Sequence, residues 1–599
     1  MSRRAVRVSL GLLIAVLALF PIFSADLYYQ NLVILALVTA IGASGLNMIA
    51  GYSGYMSLGH GAFLGIGAYT AAILVKQTQA TPFLWVPVAG LAAAAVAVVL
   101  GVVAMRARGA SFAIITVSIN FLLLLIAQNW TGLTNGDGGM YFPLPAWDEG
   151  IQNWPFHFLL VAILALTILT SWFVGRTRFG MGLMAIRDDE TKAETIGVNT
   201  RIYKVLGFAI SAFFVGMAGA AYGYYVASVE PVAAFGLLVS VQFVVAMLLG
   251  GPGTLWGPVL GAFVVETVNE VANNQLGGGN VRLFIFGGLL VVVVLVLPRG
   301  VIPSISTWWR RRGRSAEVGT VVSPPGRVPS FMSRDHGREH GATPPPILEV
   351  REVSKRFGGL EVLGGCSFSV PSGSVTGLIG PNGSGKTTLF NIVDGSMSLD
   401  AGAVHFKSTN VTHKQPWQRS HAGLARTFQI TRVFPSLTVQ DNLLAPLRET
   451  TLTSMYSSAG RGGEVERARE LLEFVGLERY AGTNAGALSY GQRKLVEFAQ
   501  ILMLDPELVL LDEPCAGINP SLINHLGDMI GELNRRGMSF LVVEHNMPFI
   551  LARCDHVVVL ANGSVIADGT PAQVQDDPAV LDAYLGHDYE RPLARGVVN

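Results

Sequence analysis

The first half of the chain is a succession of long apolar runs broken by short polar breaks. A helix crossing a ~30 Å hydrocarbon layer needs about 20 such residues. About ten runs qualify, near 7–24, 29–50, 60–76, 84–105, 110–129, 156–174, 204–228, 233–250, 254–272 and 282–298. They predict a polytopic α-helical membrane domain over residues 1–305. The first run follows Arg3 and Arg4, as a signal peptide would. It lacks a small-residue cleavage site and another run follows at once, so it reads as a retained helix. Across 306–346 the pattern gives way to Arg, Gly, Ser and Pro, ending in Pro344-Pro345-Pro346. Such a stretch buries too little apolar surface to fold and is expected to be a semi-extended linker. A strand-like run then opens at Ile347-Leu348-Glu349-Val350, and 347–599 reads as a soluble α/β domain.

Charge sharpens this division. Hydrophobic residues make up 51% and charged residues 14% of the chain, which favours the membrane class. The net charge of +1 lacks the basic excess of a nucleic-acid binder. With the N-terminus inside, ten spans put Arg106, Arg108, the loop with Arg176, Arg178, Arg187, Lys192, Arg201 and Lys204, and the tail with Arg299 on the cytoplasmic side. Near the spans, only Lys76 and Arg282 then face outward, as the bias of basic residues toward the cytoplasm requires. An even number of spans also leaves the C-terminal domain inside. The three cysteines, Cys366, Cys515 and Cys554, all fall in that domain without metal-ligand spacing.

Chemistry is concentrated in the same domain. Ser374-Val375-Thr376-Gly377-Leu378-Ile379 reads as a buried strand entering Gly380-Pro381-Asn382-Gly383-Ser384-Gly385-Lys386-Thr387-Thr388. Glycines at this spacing let backbone N–H groups wrap phosphates at a helix N-terminus, with Lys386 reaching the terminal phosphates and Thr387 a Mg²⁺ ligand. Leu508-Val509-Leu510-Leu511 is a second apolar strand, delivering Asp512 and Glu513 at its C-terminal end. Asp512 is placed for the Mg²⁺ shell and Glu513 to polarise an attacking water, the division of labour that phosphoryl transfer requires.

Leu488-Ser489-Tyr490-Gly491-Gln492, upstream of the acid pair, resembles the signature motif of ABC-transporter ATPases. Within that resemblance, Gln429 in Arg426-Thr427-Phe428-Gln429 matches the glutamine that senses γ-phosphate and Mg²⁺. His545 in Val543-Glu544-His545 matches the switch histidine. Phe357 in Lys355-Arg356-Phe357-Gly358 matches the aromatic that stacks on adenine, where a lone Phe is otherwise more often core. Gly517-Ile518-Asn519 falls at the D-loop. Tyr490 and Asn519 depart from the most general pattern. With Asp568-Gly569-Thr570-Pro571, they resemble the G-type ATPase of branched-chain amino acid uptake. The resemblance implies ATP and Mg²⁺ as cofactors. It also implies a head-to-tail ATPase pair in which Ser489, Gly491 and Gln492 complete the site on the partner.

The membrane half carries its own resemblance. Gly51-Tyr52-Ser53-Gly54-Tyr55-Met56-Ser57-Leu58-Gly59-His60-Gly61, continuing to Tyr69, is glycine-rich for membrane depth, which suits close helix packing or a broken helix lining a cavity. The run resembles the M-type permease of the same uptake system. Met184 to Val198 is expected to form one short amphipathic helix with a glycine C-cap, resembling the segment by which importer permeases engage their ATPase. Glu266 and Glu270 share a face of the ninth span and suit either helix packing or contact with a solute ammonium group. Asp137, Asp148 and Glu149 lie in a long outer loop, solvated or docking a partner. The combined resemblance implies a fused half of a plasma-membrane importer in contact with membrane lipid. Its implied partners are a second permease, a second ATPase (or a second copy of this chain) and an extracytoplasmic solute-binding protein. Urea, short amides and aromatic acids stand beside branched-chain amino acids as cargo. An exporter, usually built on six spans, and an ATP-gated channel are the other classes.

Overall fold

Wherever the sequence predicts a membrane run, the computed structural model has a helix. It describes residues 3–23, 26–143, 147, 151–275, 279–297, 299–305, 326–332, 346–446, 455 and 463–585. The helices are α1 (Arg3–Phe23), α2 (Leu27–Ser53), α3 (Gly61–Thr78), α4 (Pro82–Ala104), α5 (Ala110–Asn129), α6 (Trp154–Val174), α7 (Arg178–Asp188), α8 (Glu190–Thr195), α9 (Thr200–Val226), α10 (Leu237–Gly250), α11 (Gly257–Gln275) and α12 (Gly279–Val296). Six stretches among the described residues are long and apolar enough to cross a membrane: α2, α4, α5, α6, α9 and Pro231–Gly250, which contains α10. The expected count of about ten spans is met only to that extent. α3 ends in Lys76-Gln77-Thr78, and α11 carries Glu266, Glu270, Asn269 and Asn273.

The chain divides into two compact units. One comprises Met1–Arg187 and Thr200–Ala316; the other comprises Asp188–Asn199 and Glu317–Asn599. In the first, α9 packs against α4, α3 and α2. α2 is enclosed from Ala36 to Ser53, as its apolar character on all sides predicts. Leu84, Leu91, Val99 and Val103 on α4, and Ile114, Phe121 and Leu125 on α5, face outward.

Gly54 (φ 76°) closes α2, and α3 begins only at Gly61, so the glycine run falls at the link between two helices. Close packing is also present: a Cβ on Gly59 would lie 2.0 Å from the Thr116 carbonyl oxygen, and one on Gly67 2.0 Å from that of Gly216. Buried Glu266 accepts hydrogen bonds from Thr39 (2.5 Å) and Asn269 (3.0 Å), so it serves helix packing. Asp137 is exposed; Asp148 and Glu149 lie outside the described residues.

The second unit contains two sheets. Its strands are β1 (Pro346–Phe357), β2 (Leu360–Pro371), β3 (Val375–Ile379), β4 (Ala401–Phe406), β5 (Thr409–Asn410), β6 (Leu424–Arg426), β7 (Leu508–Asp512), β8 (Ser539–Val543), β9 (His556–Ala561) and β10 (Ser564–Gly569). The antiparallel sheet runs β2-β1-β4-β5; the larger runs β10-β9-β3-β8-β7-β6, parallel except for β10. Strands β3, β7 and β8 are buried at every residue, which is why they read as unbroken apolar runs. The expected linker is not uniform. Residues 326–332 pack on α14 (Glu464–Phe474), where Ser330 donates N–H to Glu470 (2.7 Å) and the Arg467 guanidinium covers the Phe331 ring.

Candidate active site

The larger sheet's register gathers the motifs at one edge. Val543 at the end of β8 lies level with Leu378 of β3 on one side and Asp512 of β7 on the other. Arg426 at the end of β6 pairs with Leu510. The loops leaving four parallel strands therefore open at the carboxyl edge, where ligands bind in open α/β sheets.

The loop after β3 turns into α13 (Lys386–Asp394). Gly380 sits at φ 151°, and a Cβ there would lie 2.0 Å from the Leu560 carbonyl oxygen. Gly385 has Leu363 at 2.7 Å from the same imagined atom. Lys386 Nζ donates to the carbonyls of Gly380 and Pro381, both at 2.8 Å, and lies 3.4 Å from Ser384 Oγ. Burial pushes the ammonium below its ordinary value, and the charge of Glu513 works against that shift. Asn382, Gly383 and Thr387 are exposed, and Thr388 is half-buried. A tight backbone cradle that excludes side chains, with a lysine at its lip, fits a nucleotide phosphate chain.

Across the edge, Glu513 is held from two sides. Gln429 Nε2 donates to one carboxylate oxygen (3.0 Å), and His545 Nε2 lies 3.0 Å from the other. Glu513 has φ 46°, a left-handed conformation for a residue with a side chain. Asp512 is buried; burial pushes its carboxyl up and Arg426 opposes that. Thr387 hydroxyl, Asp512 carboxylate and Gln429 amide are hard oxygen donors that suit Mg²⁺. No group of three or more His, Cys, Asp or Glu among the described residues could hold a metal unaided.

Three supporting residues escaped the sequence reading. Arg426 pairs with Asp394 (2.5 Å) and Asp512 (3.0 Å); burial opposes its charge, but the two carboxylates outweigh it and hold the guanidinium above its ordinary value. Lys494 Nζ donates to the carbonyls of Glu513 (2.7 Å), Pro514 (2.9 Å) and Ala516 (3.0 Å). Glu544 accepts N–H from Cys515, His545 and Asn546, tying the loop after β8 to the one after β7. An arginine ending a buried strand was the one available signal.

The remaining expected residues are dispersed. Phe357 ends β1, 47% exposed, so it is not core and offers a face for stacking. Ser489 caps α15 (Tyr490–Leu502) in a capping box with Gln492. Gln492 is 1% exposed and spent on that cap, while Ser489 is exposed and Gly491 half-buried. Asn519 caps the helix Pro520–Arg535.

The segment 188–199 belongs to this unit. It is not the single helix expected: Asp189 stops α7 and caps α8, accepting N–H from Lys192 (2.9 Å). Ile196 is the C-cap, and Gly197 (φ 92°) follows it in the left-handed conformation. Asp188 accepts from Ser436 Oγ (2.6 Å), Asp189 pairs with Arg432 (3.1 Å), and Lys192 pairs with Glu497 (2.7 Å).

Comparison with known proteins gives three family matches, one in the membrane half and two in the ATPase half. The permease component of the branched-chain amino acid transport system matches residues 28–294. The ABC transporter family matches 363–516, and the branched-chain amino acid ATP-binding cassette transporter family matches 564–590. A probable branched-chain amino acid transport ATP-binding protein LivG of Archaeoglobus fulgidus is 41% identical over 40% of this chain and 95% of its own length. The high-affinity branched-chain amino acid transport ATP-binding protein BraF of Pseudomonas aeruginosa is 37% identical, over 40% of this chain and 98% of its own. A solved nucleotide-free ATP-binding cassette from an ABC transporter is 38% identical, over 40% of this chain and all of its own, with TM-score 0.37.

Proposed function

The chain belongs to the branched-chain amino acid transport family of ATP-binding cassette proteins, and from that premise we propose that it is the fused permease and ATPase subunit of an importer for branched-chain amino acids. The observation that carries the reading is Glu513 held between Gln429 and His545 beside the phosphate loop, on a chain with six apolar stretches among its described residues able to span a membrane. The domain hydrolyses ATP, and its residues divide the work. The 380–385 backbone and Lys386 hold the phosphates. Glu513 orients water for in-line attack and takes up its proton, and His545 keeps the carboxylate aimed. Thr387, Asp512 and Gln429 would hold Mg²⁺, which when bound would supply charge neutralisation for the phosphates. Exposed Ser489 and half-buried Gly491 serve a site on a second ATPase, which with a second permease and a solute-binding protein completes the importer.

The test is ATP-dependent uptake of labelled leucine, isoleucine and valine into right-side-out membrane vesicles or proteoliposomes loaded with ATP and carrying the assembled transporter. Uptake is expected to require ATP and the binding protein and to vanish with Glu513→Gln. Uptake that persists in that variant, or that never occurs with the wild-type chain, would overturn the reading.

A further inference from the structure

The segment 188–199 meets the ATPase fold through contacts of two kinds. Asp189–Arg432 is partly exposed (26% and 39%), so water can replace either partner at little cost. Lys192–Glu497 is different, with side-chain exposures of 0% and 2%. Burial pushes the Lys192 ammonium below its ordinary value, and Glu497 works against that shift. The ammonium also lies 5.6 Å from the Phe428 ring, which the Arg432 guanidinium covers from 4.6 Å. Glu497 lies on α15, the helix that Ser489 caps and whose first turn carries Gly491, and Phe428 immediately precedes Gln429. One buried cation thus fills a slot between the two elements that report on nucleotide.

We propose that the Lys192–Glu497 pair is a selectivity key: the groove accepts a coupling segment only when that segment presents a cation at this position. An assembly with two permeases and two ATPases offers two segments and two grooves of similar shape. A segment without the cation would leave buried Glu497 without its ion-pair partner, keeping only the Arg432 N–H at 3.4 Å, and Lys192 in a groove without an acid would be stranded in the same way. Both mispairings are penalised because neither charge can reach water. The key therefore commits this chain's segment to its own ATPase fold. Lys192 is a positioning residue and takes no part in the chemistry.

This inference rests on the transporter reading, and a double-mutant cycle on the full chain in its assembled transporter separates the two. The variants are Lys192→Glu, Glu497→Lys and their combination, with Lys192→Met and Lys192→Met/Glu497→Met as a second set that needs no reversed charge. Measured are membrane abundance, ATP binding, and solute moved per ATP hydrolysed. Each single variant is expected to lower that ratio, or its own abundance, about tenfold or more, and at least one double variant to recover most of the loss. Single variants that couple normally, or double variants of both sets that recover nothing, overturn the key. A wild-type chain that moves no solute overturns the transporter reading instead.

Discussion

Glycine does different work in the two units. At Gly380 in the phosphate loop, the backbone angle (φ 151°) and the 2.0 Å approach of the Leu560 carbonyl oxygen both forbid a side chain. At Gly383 only the angle does (φ 82°), because a Cβ would meet nothing within 4 Å. At Gly67 in the membrane unit the backbone is ordinary helix, and only space forbids a side chain, with the Gly216 carbonyl oxygen at 2.0 Å. One residue type thus fixes loop geometry in one unit and the distance between helices in the other. Damage should follow that division, affecting ligand affinity in the first and helix association in the second.

Four substitutions test the comparison. Glu513→Gln removes the acid that the loop's geometry serves; hydrolysis should fall by about 10²–10⁴-fold while nucleotide affinity changes little. Steady-state ATPase rates with equilibrium nucleotide binding measure both, and a parallel loss of affinity would deny the separation of holding from hydrolysing. Gly380→Ala carries both penalties. Strain of about 1–3 kcal/mol should lower nucleotide affinity about tenfold or more, with the fold retained by circular dichroism. Gly67→Ala should loosen the membrane unit by about 1–3 kcal/mol, seen as a lower melting temperature in detergent, and leave nucleotide affinity unchanged. Gly383→Ala isolates the backbone angle and should cost about 1 kcal/mol in nucleotide binding. If it matched Gly380→Ala, space would count for nothing in the loop.

Much of this was legible because it was local. A span announces itself over some 20 consecutive residues, and the phosphate loop, acid pair, glutamine and histidine each sit in a short segment beside a strand. The illegible features join distant positions. Lys192 and Glu497 are 305 residues apart, and Lys494 finds its carbonyls about 20 residues away across a strand. Neither leaves a local pattern. The break at Asp189 is an intermediate case. Aspartate is a good N-cap, yet the amphipathic pattern runs through it and reads as one helix. Residues 326–332 look like linker because their partners, Glu470, Phe474 and Arg467, lie far downstream.

The three carbonyls that converge on Lys494 resemble a coordination shell. Oxygens of Glu513, Pro514 and Ala516 surround one positive charge, as they would a bound alkali ion. Here the ion is attached to the chain, so it is never lost to dilution. The loop that carries Glu513 has its positive charge built in and buried, which frees its shape from the salt composition around it.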